Sequence, residues 1–126
     1  MNLPKHYEAD VLAFFAGRPL ELELYQALAQ ALRAAFPQAA VTVRRSQISF
    51  SGRHLFAMAS HPRRKREQGL VVSFGLNRRA ESPRIAQAAE PYPGRWTHHV
   101  IITRPEDLDG ELLGWLEEAW NFSQSK

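Results

Sequence analysis

The chain contains no cysteine, which removes disulfides, thiolate nucleophiles, cysteine zinc sites and iron–sulfur clusters from consideration. No apolar run approaches the ~20 residues that span a bilayer, and the N-terminus lacks the charged, apolar, small-residue order of a signal peptide. These absences point to a cytoplasmic protein with no membrane partner. The sequence also lacks H-E-x-x-H, G-x-S-x-G, a Walker A loop and G-x-G-x-x-G, so zinc proteolysis, serine hydrolysis, nucleotide triphosphate chemistry and dinucleotide binding have no support. Neither an internal repeat nor a low-complexity linker divides it. The 126 residues, with 44% apolar content, read as one domain spanning 1–126 and long enough to bury a core unaided.

What the sequence does contain is unevenly placed positive charge. Val41 to Arg104 holds twelve Lys and Arg against Glu67, Glu81 and Glu90 alone, whereas residues 105–126 hold six acidic groups against Lys126. Thirteen of the sixteen basic residues are Arg, whose planar fork pairs with phosphate or carboxylate in bidentate fashion. Codon bias in a GC-rich genome would enrich Arg as well. The middle segment points to an anionic partner, either a small molecule or nucleic acid.

Apolar spacing predicts an α+β fold. Tyr7, Val11, Phe14 and Phe15 outline a first helix that stops at Gly17. Leu20, Leu24, Leu28 and Leu32 outline a second, which opens at Pro19 and breaks at Pro37. The period then changes to two in Val41–Arg45, Gln47–Ser51, Leu55–Ser60 and Leu70–Leu76, and again in Arg95–Thr103. These five runs read as an antiparallel meander. Ser82 to Gly94 reads as a loop with one helical turn, Ser82 acting as its N-cap before Pro83. Leu112, Trp115, Leu116 and Trp120 mark a closing helix that should dock on the sheet.

Each candidate site has an ordinary alternative. Arg63 to Arg66 sits between two strand runs; such a tip is commonly only solvated, and its functional reading is phosphate contact. Arg84 follows Pro83 at the expected helical turn, where free N–H groups favour an anion. His98 and His99 are neighbours on a strand, so they project to opposite faces and cannot easily share a metal. Either is ordinarily a buried structural histidine; the functional alternative is a ligand donor or general base. Tyr92 could stack on a ligand, whereas Trp115 and Trp120 belong to packing. No metal and no cofactor is expected.

The blocks "RRSQISFSGRHLFAMAS", "SPRI", "EPYPGRWTHHVII" and "ELLGWLEEAW", in that order and nearly covering the chain, resemble a bacterial family known as domain of unknown function 5655. The resemblance brings no catalytic residues with it. Similar small bacterial domains have been compared with iron chaperones, which need an exposed acidic or His-rich face; here the acids cluster in the final helix, as its solvated side.

The reading favoured is a non-enzymatic binding module whose sheet face and 82–96 loop accept an anion. Arg44, Arg45, Arg53, Arg84 and Arg95 would supply charge, with Gln47, Ser49, Ser82, Tyr92 and His99 as further contacts. One alternative is a small enzyme using His98 or His99 with Arg84, Arg95 or Glu90. Another is a protein-interaction or homodimer module built on exposed sheet edges.

Overall fold

A computed structural model describes Met1–Lys126. The apolar stripes near the N-terminus form helices α1 (Tyr7–Phe14) and α2 (Pro19–Ala35). Between them Gly17 takes a φ of 75°, the left-handed region that glycine enters without a Cβ penalty. Pro19 sits in the first turn of α2, where its missing N–H leaves no bond unmade.

Six strands follow, β1 (Ala40–Val43), β2 (Ile48–Ser51), β3 (Leu55–Ser60), β4 (Leu70–Leu76), β5 (Ile85–Tyr92) and β6 (Arg95–Ile102). They form one antiparallel sheet in the order β1-β2-β3-β4-β6-β5. A short 3-10 turn at Pro105–Asp107 leads into α3 (Gly110–Gln124). The Asp109 carboxylate caps α3 by accepting the Leu112 N–H at 3.1 Å, which satisfies one of the orphan donors of a helix start.

Alternation along the strands gives the sheet two faces. Ile48, Phe50, Ala57, Ala59, Val72, Phe74, Val100 and Ile102 are buried on one, beneath α2 and α3. Trp115 stacks on Phe74 at 5.5 Å, and Trp120 lies against Phe36 and Phe56 at 5.2 and 5.1 Å. Twenty-five buried hydrophobic residues form one continuous core; truncating a Leu such as Leu28 to Ala there costs about 2–5 kcal/mol. Gly52 is required by this packing, because a Cβ at that position would collide with Trp120 and Gln124. The opposite face carries no helix.

Two expectations change. The sheet has six strands rather than five, because the stretch expected as a loop with a helical turn contains β5. That strand lies at the edge with solvent on both faces for most of its length, so its sequence needs no polar–apolar alternation. Pro91 is tolerated there because an edge strand leaves backbone positions unpaired. Ser82 is accordingly no helix cap: its hydroxyl accepts the Arg84 N–H at 3.2 Å and its carbonyl accepts the Ile85 N–H at 3.1 Å, closing a turn ahead of the strand.

Candidate functional site

Register places one row of side chains across the uncovered face. Ser49 lies opposite Met58, Met58 opposite Ser73, Ser73 opposite His99, and His99 opposite Gln87. Gln47 joins the row by donating to the Ser49 hydroxyl at 2.9 Å. The hydroxyl of Ser73 lies 2.6 Å from His99 Nδ1, which fixes the imidazole ring and leaves Nε2 without a protein partner. Burial lowers the His99 pKa, and the nearby Arg63 charge lowers it further, so the ring is neutral at pH 7.

His99 lines a groove of about 610 Å³ between the β3–β4 loop and β5. Arg63, Arg64 and the acidic Glu67 form part of its wall, and Gln87 lies on the β5 side. Neither arginine has a carboxylate within ion-pair distance, unlike Arg18, Arg78, Arg84 and Arg104. The loop that carries them is tied down from both helices. His61 Nε2 bonds the Phe14 carbonyl at 2.8 Å, Arg18 donates to the Glu67 carbonyl at 2.9 Å, and the Gly69 N–H donates to Glu21 at 2.8 Å. His61 also stacks on Phe14, with ring centroids 4.5 Å apart.

Glu21 is 4% exposed, and such burial alone would raise its pKa. The Gly69 amide, its own N–H and Arg18 outweigh burial and leave the carboxyl below its ordinary value. A buried carboxylate thus holds the loop base in its charged form.

The residues expected to act together are dispersed. Arg44, Arg45 and Gln47 sit at the β1–β2 turn, at the same end of the sheet as Arg63 and Arg64. Arg53, Tyr92 and Arg95 lie at the far end, where β2 meets β3 and β5 meets β6. Ser49 and His99 belong to the central row. Ser82 and Arg84 are elsewhere: the Arg84 guanidinium bonds Asp109 at 2.7 Å, Glu111 at 3.2 Å and the Asp107 carbonyl at 2.6 Å. Arg84 therefore tethers the start of β5 to the start of α3 and has little capacity left for an external anion. Ser73 and Gln87 carry no local mark as contacts, and the Arg63 to Arg66 run, for which phosphate contact is the functional reading, reads as a solvated tip because the bonds that place its loop span 47 to 49 residues.

His98 projects to the helix side, stacks on Phe74 at 5.2 Å and accepts the Ala80 N–H on Nε2 at 2.9 Å. Its Nδ1 has no hydrogen-bond partner. Burial lowers its pKa, and the nearby Phe74 carbonyl offsets this only in part. It is a structural histidine, and His98 and His99 share no cleft. No group of three or more His, Asp or Glu side chains converges anywhere in the chain, and no helix is long and apolar enough to cross a membrane.

A six-stranded antiparallel sheet, helices on one face and a polar row with a basic loop on the other, defines a small α+β domain with one open sheet surface. The family model for the domain of unknown function DUF5655 matches residues 11–123, and the chain belongs to that family. No curated protein and no solved structure matches it.

Proposed function

We propose that the chain is a non-enzymatic binding module that holds a small phosphate- or carboxylate-bearing ligand between the β3–β4 loop and His99. One observation carries this reading: Arg63 and Arg64, both free of carboxylate partners, stand on an anchored loop beside a neutral, hydrogen-bonded histidine. Cations carried on an anchored loop at a concave wall bind an anion without first ordering that loop.

Catalysis is the weaker reading. Ser73 is 2% exposed, so its hydroxyl is a poor nucleophile, and Arg84, Arg95 and Glu90 do not line the groove. Nucleic acid is also less favoured, because the unpaired arginines are split between two ends of the sheet instead of forming one stripe.

Calorimetric titration of the whole chain with phosphate, pyrophosphate and citrate across a salt series tests the proposal. Saturable binding that weakens with salt and is lost in Arg63→Ala/Arg64→Ala is expected. An intact protein that binds none of the three, or a double variant that binds them equally well, refutes it.

A further inference from the structure

We infer that a second hollow, at the opposite end of the sheet, is a separate site for a small amphipathic monoanion such as an aromatic carboxylate. It lies where β4 ends and β6 begins and encloses about 240 Å³. Leu55, Trp96 and Phe122 supply apolar lining, Tyr92 forms part of the rim, and Arg95 and Lys126 are its two cations. No acidic side chain lines it.

The two cations are held in place by aromatic rings and not by counter-charges. The Arg95 guanidinium lies 6.0 Å from the Tyr92 ring centroid and the Lys126 ammonium 4.4 Å from that of Phe122. Neither has an acidic side chain within ion-pair distance. Burial lowers the Lys126 pKa, and Arg95 lowers it further. Two cationic side chains held near each other, with no acidic side chain between them, favour an added negative charge. Tyr92 is 64% and Leu55 45% exposed, so apolar surface stands uncovered beside that charge deficit. A ligand with a ring and a single carboxylate answers both, its ring against Leu55 and Trp96 and its carboxylate between Arg95 and Lys126.

This site shares no cation with the groove beside His99, so the two are separable by experiment. Two-dimensional amide NMR of the full chain, titrated with phenylacetate and with neutral phenylacetamide, reads it directly. Phenylacetate should shift the Leu55 and Thr97 amides and the Trp96 indole, and phenylacetamide should bind at least about tenfold more weakly. Arg95→Gln should weaken phenylacetate by about tenfold, whereas Arg63→Ala/Arg64→Ala should leave it unchanged. Arg95 is exposed, so its replacement should not disturb the core, and unchanged amide dispersion confirms this. Equal binding of acid and amide, wild-type affinity in Arg95→Gln, or no shifts at millimolar phenylacetate would each overturn the inference.

Discussion

The Ser73 hydroxyl and His99 Nδ1 lie 2.6 Å apart on neighbouring strands of the uncovered face. Ser73 is buried and does not line the groove beside His99, so it acts there by orienting the ring. Ser73→Ala should cost about 1 kcal/mol of stability and weaken phosphate binding several-fold. Ser73→Thr, which keeps the hydroxyl, should restore most of it. Calorimetry on the two variants separates orientation from simple loss of packing.

Arg63 depresses the His99 pKa through its charge, after burial. In Arg63→Ala the His99 titration, followed by NMR, should therefore move upward. An unmoved His99 would show that the loop does not sit beside the ring in solution. Phosphate should also move it upward, since an anion favours the charged imidazolium. His99 then takes up a proton on binding, and affinity for sulfate, whose charge is constant over this range, should rise as pH falls from 7.5 to 6.

Glu21 anchors the base of the same loop through the Gly69 amide. Glu21→Gln removes the charge from that bond and should cost about 1.5–3 kcal/mol in urea unfolding, with amide exchange accelerated at residues 63–69.

Arg84 makes a contrasting case. It bridges Asp109 and Glu111 away from the groove, with half-exposed partners. Arg84→Ala should lower stability by about 1 kcal/mol and leave phosphate affinity unchanged. A large loss of affinity would restore Arg84 as a contact.

His98 sets the acid limit. Its folded pKa lies below the ordinary value of 6.5, so the unfolded chain binds the proton more readily. The stability it contributes is complete above pH ~6.5 and is lost as pH falls from there toward its lowered value. Urea midpoints measured from pH 7.5 to 5 should decline in the wild type. His98→Leu should make that decline shallower, with His99, whose pKa is also lowered, carrying the rest, although the variant leaves the Ala80 N–H without its acceptor and lowers stability throughout.

Much of the fold was legible because burial writes a period into the residues. β3 and β4 have the expected bounds, and the opposite projection of His98 and His99 follows from strand geometry. β5 was not legible. Its "IAQAAEPY" lies at an edge and is largely exposed, so nothing selects alternation. The binding surface was harder still. The sequence around Arg84 offers only its neighbours Ser82 and Pro83, whereas its partners are 23 to 27 residues away. Arg63 and Arg64 looked like a free tip because Phe14, Arg18 and Glu21 lie far off in sequence.

Asn2 bonds along the outer side of β1, donating to Ala39 and accepting from Val41, while β5 has no strand beyond it. The start of the β1 border is thus already hydrogen-bonded, and the β5 border is open. Growth of a filament by strand addition requires two open borders on every copy. Two copies joined β5 to β5 would have none to spare, so light scattering should find a dimer as the largest species assembled through this sheet.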